Sequence, residues 1–301
     1  MASGSKKVIY AALIGNSLIA ITKYIAAFFT GSSAMMSEGI HSTVDTGNQI
    51  LLLYGLHRAK KPADAQFPFG HGKEVYFWSF IVAILIFAVG SGISLYEGIH
   101  SLLDPHPVDS AWISYTVLTL AMVFEGFAWY FAFVEFKRSK GSATYFEAVR
   151  RGKDPTLFVV LFEDSAAMLG LVAALIGVAL TQITGNVIFD SLASITIGLI
   201  LGGTAIWLAY ETKGLLIGES ASRYVVNDIR KIINTMPEVE KVHEVLTMHM
   251  GPEFILANIS IRFFGTNNVA TSIDRLEREI KQAHPAIKRL FIEAEDRNKK
   301  D

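Results

Sequence analysis

Between residues 8 and 30 the chain carries a single charged side chain, Lys23. Similar apolar runs follow over residues 33–56, 75–96, 111–134, 156–183 and 187–210. Each reaches the ~20 residues that cross ~30 Å of hydrocarbon at 1.5 Å per residue. The pattern predicts six membrane-spanning helices. The first run is too long for a signal peptide and has no clear small-residue cleavage site, so it reads as a true span.

From about Glu219 the pattern changes to that of a small water-soluble domain. Residues 224–235 predict a helix with Val225, Ile229, Ile232 and Ile233 on one side, ending before Pro237. Residues 242–249 and 254–263 predict two strands joined by the Gly251–Pro252 turn. Residues 272–283 predict a charged amphipathic helix, and 289–295 a last strand. The order αββαβ predicts an open α+β sandwich with its helices on one sheet face. The expected organisation is a transmembrane domain over residues 1–218 and a soluble C-terminal domain over 219–301.

Charge sets the orientation. Lys6 and Lys7 precede the first span. Arg58, Lys60, Lys61 and Lys73 lie in the second connection, and Lys137, Arg138, Lys140, Arg150, Arg151 and Lys153 in the fourth. The other three connections contain no lysine or arginine. The positive-inside rule therefore places both termini in the cytoplasm, which an even number of spans requires. Compact loops and the lack of a targeting segment suit a prokaryotic plasma membrane.

Composition narrows the chemistry. Charged residues make up 18% of the 301 residues, against roughly 25% in an average soluble chain. The 27 basic and 28 acidic residues leave a net charge of −1, without the basic excess that nucleic-acid binding needs. There is no cysteine, which excludes disulfides, thiolate metal sites and cysteine nucleophiles. His-Glu-x-x-His is absent and no hydrolytic nucleophile stands out, so the chain does not read as an enzyme.

Ionisable groups at membrane depth are costly and mark functional candidates. In the second span Glu38, His41, Asp45 and Asn48 follow one another at spacings of three, four and three, on one helical stripe. His41 and Asp45, one turn apart, can chelate one divalent ion from a single helix; the alternative is a buried hydrogen bond that glues helices together. The fifth span holds Glu163 and Asp164. Neighbouring positions differ by ~100° around a helix, so these two acids cannot both point the same way. Lys23 reads as a carboxylate's partner, and Glu125 in the fourth span as a proton relay or a hydrogen-bonded core group. Asp190, near an end of the sixth span, is accounted for by snorkelling or capping. Before the third span, His71 with Asp64 can bind a metal or remain unligated. In the tail His243, His249, Glu293 and Glu295 fall on strands; Glu293 and Glu295 share a strand face and offer either an oxygen-rich metal site or a solvated surface.

Together these features resemble the cation diffusion facilitator family. The resemblance rests on six spans with cytoplasmic ends, His41-x-x-x-Asp45, Asp164, the run Phe69-Gly70-His71-Gly72-Lys73, the Asp190-Ser191-Leu192-Ala193-Ser194 start of the sixth span, Gly218-Glu219-Ser220 and the αββαβ tail. It covers about residues 9–295. It implies a homodimeric antiporter that exports zinc or a related divalent ion in exchange for protons. It also implies a transport site built from His41, Asp45 and Asp164. Members usually carry a fourth ligand four residues before the fifth-span aspartate, where this chain has Val160. The Glu163-Asp164 doublet resembles the branch that includes the mitochondrial zinc transporter 9 type. The fourth ligand is then Glu163, Glu38, another span or water. One imidazole among carboxylates is a hard site, to which manganese, iron or cobalt are suited beside zinc. In the second connection His71, and with it Asp64, match metal-binding positions, while Phe67 stands at a third. In the tail His243 matches a ligand position, whereas Asn258, Glu293 and Glu295 stand where other members have His or Asp.

The resemblance implies a transporter with no bound cofactor, whose tail holds the dimer together and senses metal. The other reading is a non-transporting regulator or heteromeric partner that keeps the fold but lost the site, which Val160 favours.

Overall fold

In the computed structural model, residues 3–105, 111–140, 155–264 and 268–295 are described. Six long helices lead: α1 (Ser3–Thr30), α2 (Ser33–Arg58), α3 (Glu74–Leu103), α4 (Ala111–Lys140), α5 (Pro155–Thr184) and α6 (Ile188–Ile217). The tail contains α7 (Arg223–Asn234), β1 (Val239–Gly251), β2 (Phe254–Phe263), α8 (Val269–Ala283) and β3 (Ile287–Glu295). The chain divides into two compact units, the first comprising Met1–His57 and Val75–Lys213. The second comprises Arg58–Glu74 and Gly214–Asp301. The connection between α2 and α3 thus groups with the tail rather than with the helices it joins.

The first unit is built inside out relative to a protein in water. Phe28, Phe127, Phe131, Trp112 and Leu199 are exposed, whereas Lys23, Glu38, Asp45, Glu125, Glu163, Asp164 and Asp190 are buried. A surface this apolar around a charged interior fits hydrocarbon as solvent. By length and apolar composition, Glu74–Leu103, Ala111–Lys137, Phe158–Thr184 and Ile188–Ile217 each suffice to cross a membrane. At 26 residues α2 is long enough, but it spends its composition on polar groups. These face inward, since Glu38, His41, Ser42, Asp45 and Asn48 are all buried. The unit is a membrane-spanning helical bundle in which α4 packs against both α1 and α5.

Small residues allow close helix crossings, as at transmembrane interfaces generally. A Cβ on Gly198 would stand 2.7 Å from Leu95, and one on Gly98 2.8 Å from the Ile195 backbone nitrogen, so α3 and α6 meet almost backbone to backbone. The middle of α3, Ile86–Ser91, is wound as a π-helix. Hydroxyls stitch the same region. Ser194 donates to the Ser94 carbonyl at 3.0 Å, and the Ser37 and Ser194 hydroxyls bond each other.

In the second unit the three strands run in the order β1-β2-β3, with β1 and β2 antiparallel and β2 and β3 parallel. The αββαβ order matches the sequence pattern. Alternate β2 residues Ile255, Ala257, Ile259, Ile261 and Phe263 are buried with Ile229 and Ile233 of α7 and Leu276 and Ile280 of α8. Period-two burial on the sheet and 3.6-residue burial on both helices therefore meet in one core. Ser222 caps α7 by accepting from the Val225 backbone N–H. The same unit holds the α2–α3 connection. Gly72 lies so close to the Met250 carbonyl and Gly251 that any side chain there would collide with backbone.

Candidate metal-transport site

The first turn of α2 is fixed from a distance. Asp190, buried in the first turn of α6, accepts from the Ser32 hydroxyl at 2.6 Å, the Ser33 backbone N–H at 2.7 Å, the Ser33 hydroxyl at 3.0 Å and the Ala34 N–H at 3.3 Å. A carboxylate belongs there, because the first N–H groups of a helix lack intrahelical acceptors and carry its positive dipole end. Of the two readings of Asp190, snorkelling or capping, the structure shows capping, and the capped helix is α2 rather than its own.

One turn further along α2 the charges begin. The Lys23 ammonium of α1 donates to Glu38 Oε2 at 3.0 Å and to the Ser42 hydroxyl at 2.8 Å, with both ion-pair partners wholly buried. A buried ammonium and carboxylate offset each other's desolvation only when so paired. Glu38 Oε1 lies against α5 at Gly170, where a Cβ would stand 2.6 Å away. Glycine at 170 thus makes room for the ion pair.

His41 and Asp45 follow on the same stripe. Their Nδ1 and Oδ1 atoms are 3.2 Å apart, yet they are not aligned as a hydrogen bond. Both His41 nitrogens and Asp45 Oδ1 are buried without a hydrogen-bond partner. Such orphaned groups are costly in a low-dielectric interior. Lone pairs left free one helical turn apart are what a divalent ion requires of a chelating pair. His41 and Asp45 do not form the hydrogen bond that would glue helices together.

On α5, Glu163 and Asp164 are both buried. Glu163 faces α2, where Asn48 Nδ2 donates to its Oε1 at 2.7 Å and the Asp45 carboxyl lies within interaction range. Asp164 interacts with Glu163 and with Glu125 of α4, which is also buried. The next residue, Ser165, accepts from Trp129 Nε1 at 2.9 Å and so ties α5 to α4. Among the described residues, no three His, Asp or Glu side chains converge on one preformed metal position. The structure brings Asp45 beside both His41 and Glu163, and pairs Lys23 with Glu38.

In the second unit, His71 Nε2 donates to Asp64 Oδ2 at 3.0 Å, and Asp64 Oδ1 accepts from the backbone N–H groups of Gln66 and Phe67. The hydrogen bond from His71, with those backbone N–H groups, holds the Asp64 carboxyl below the usual aspartate range. The Phe67 ring packs against the imidazole at a tilt of 49°, its centroid 4.6 Å away. In the tail His243 Nε2 lies 3.4 Å from Glu295 Oε2, and the Ser260 hydroxyl donates to Glu295 Oε1 at 2.6 Å. Glu293 is exposed. Sequence reasoning did not single out Ser42, Gly170 or the Ser32–Ser33 pair. Their roles depend on contacts between helices far apart in sequence, which no spacing rule encodes.

Residues 9–217 match the family model for the cation efflux transmembrane domain. The mitochondrial proton-coupled zinc antiporter SLC30A9 of Xenopus laevis is 30% identical over 332 residues, spanning 96% of this chain and 59% of the relative. Metal tolerance protein C4 of Arabidopsis thaliana is 31% identical over 279 residues, spanning 91% of this chain and 61% of the relative. The cation-efflux pump FieF of Klebsiella pneumoniae subsp. pneumoniae is 26% identical over 249 residues, spanning 82% and 77%. This chain thus spans about three fifths of the length of the first two relatives. With the family model covering most of the chain and the inward polar stripe lying within the matched segment, the protein belongs to the cation efflux family.

Proposed function

We propose that this protein is a divalent cation/proton antiporter that exports Zn2+, or a related first-row ion such as Mn2+, Fe2+ or Co2+, by alternating access. The observation that carries the reading is the His41–Asp45 pair, whose nitrogens and Oδ1 are buried without hydrogen-bond partners on the inward stripe of α2. Desolvated carboxylate and imidazole donors can replace an ion's hydration shell. They bind metal only when deprotonated, so protons entering from the opposite side displace it. His41, Asp45, Asp164 and Glu163 form the proposed donor set. The relatives' names, zinc antiporter and cation-efflux pump, agree with this activity. In this reading the protein works as a homodimer in a prokaryotic plasma membrane, with both termini on the lysine- and arginine-rich cytoplasmic side. The tail, from about residue 219, supplies dimer contacts and senses metal, and no catalysis is assigned.

The test is a proteoliposome holding a pH-sensitive dye, given zinc, manganese, iron(II), cobalt, cadmium and magnesium separately. Proton movement driven by a subset of these ions and lost in Asp164→Ala and Asp45→Ala supports antiport. Silence for every ion from a folded protein favours the second reading, a non-transporting regulator or heteromeric partner, for which Val160 speaks.

A further inference from the structure

Val160 offers no donor atom, so the fifth helix must supply its second ligand from elsewhere or not at all. Position 163 lies three residues after 160 and shares that side of α5. We propose that Asn48 is a positioning residue that holds Glu163 beside Asp45, making Glu163 the metal ligand that replaces a side chain at 160. The proposal rests on the antiport reading above and names the donor set of the same site.

Three observations converge on it. Asn48 is wholly buried, and its Nδ2 donates to Glu163 Oε1 at 2.7 Å. With Glu163 ionised, as a metal ligand is, that amide orientation is required, because turning Oδ1 to the carboxylate would set acceptor against acceptor. The Asp45 and Glu163 carboxyls interact, which puts oxygens from α2 and α5 at one place. The kind of donor matters as well. Glu38 is bonded to an ammonium, which consumes its negative charge locally. Glu163 is held by a neutral amide, which fixes the carboxylate's direction and leaves its charge for a cation. Two carboxylates on the same bundle are thus separated by their partners: Glu38 is structural, and Glu163 faces the ion.

Losing a residue that orients a metal ligand typically costs about 10- to 100-fold in affinity. The test is equilibrium zinc binding to the full chain in nanodiscs, for wild type, Asn48→Leu, Glu163→Gln and the double variant, with size exclusion and circular dichroism to establish folding. Asn48→Leu is expected to weaken zinc binding about 10-fold or more. In the Glu163→Gln background it is expected to add nothing, since Asn48 acts only through that carboxylate. Glu163→Gln with Val160→His is expected to regain zinc affinity, because a donor returns to the same side of α5. Unchanged affinity in Asn48→Leu, or an equal loss with and without Glu163, overturns the proposal. Should Asn48→Leu fail to fold, Asn48→Asp keeps the shape while setting like charge against Glu163, and the same comparison applies. Asp45→Ala separates the two levels: zinc binding that survives there overturns the antiport reading itself, whatever position 48 does.

Discussion

Asp190 and Ser33 sit 157 positions apart in the chain, yet one carboxylate oxygen of Asp190 accepts both the backbone N–H and the hydroxyl of Ser33. The start of α2, and with it the register of the stripe that carries His41 and Asp45, is therefore set by α6. Replacing the side chain of an N-cap costs about 0.5–2 kcal/mol, and here a buried charge with four donors is involved. Asp190→Ala is expected to lower the thermal unfolding midpoint of the purified protein and to weaken zinc binding. Asp190→Asn, which keeps one acceptor, is expected to fall between. A midpoint unchanged in Asp190→Ala would show that α2 is fixed without this cap.

The Lys23–Glu38 pair predicts a reversal of the usual additivity. Removing one partner of a buried ion pair leaves an uncompensated charge and costs about 3–5 kcal/mol, whereas replacing both by apolar groups is often neutral. Lys23→Met is expected to destabilise strongly, and Lys23→Met with Glu38→Leu to recover most of the loss. Thermal unfolding of the three variants measures this. If zinc transport also survives in the double variant, Glu38 plays no part in the ligand set.

Acid is expected to release the α2–α3 connection. The Asp64 carboxyl is held below its ordinary value of 3.8 first by the His71 hydrogen bond and then by backbone N–H groups. A depressed folded-state value means that the contribution is present above the unfolded value and is lost as pH falls through the folded one. Protease protection of residues 58–74 should therefore persist at neutral pH and fade only below about pH 4. In His71→Asn the loss should begin at higher pH. Identical profiles for the two proteins would remove His71 as the cause.

Gly72 packs against the backbone of Met250 and Gly251 with no space for a Cβ. Gly72→Ala should detach or shift the connection, read as faster proteolysis near residue 72 while the α7–α8 core and its far-ultraviolet circular dichroism are kept. Equal proteolysis rates would mean that the segment absorbs a methyl group by moving as a body.

Much of this architecture is written in local patterns. Apolar runs mark the long helices, and spacings of three and four mark the inward side of α2. Alternation marks β2, whose bounds coincide with the sequence expectation. In the tail, the first helix and the outer strands begin one to three residues earlier than the pattern suggests, at Arg223, Val239 and Ile287. Other features depend on pairing between distant segments. Nothing in the neighbourhood of Asp190 says that it serves Ser33. The lysines between Arg58 and Lys73 mark a connection without saying that it groups with the tail. The Glu163-Asp164 doublet requires that the two diverge, but it takes Asn48, 115 positions earlier, to show that Glu163 is the one facing α2.

The π-helical turn of α3 has a consequence for chain length. A π-helix spends more residues on a turn than an α-helix does, so every residue after it lags in angular phase behind its place in a continuous α-helix. Ser94 and Gly98, which meet α6, lie beyond Ile86–Ser91 and owe their facing to that lag. Rewinding that turn as an α-helix with the same number of residues would swing the following segment by about 100°. Gly98 would leave Ile195, and a bulkier neighbour would take its place. Residues 86–91 therefore hold one residue more than α-helical winding needs, and deleting one of them would leave Ser94 and Gly98 facing α6.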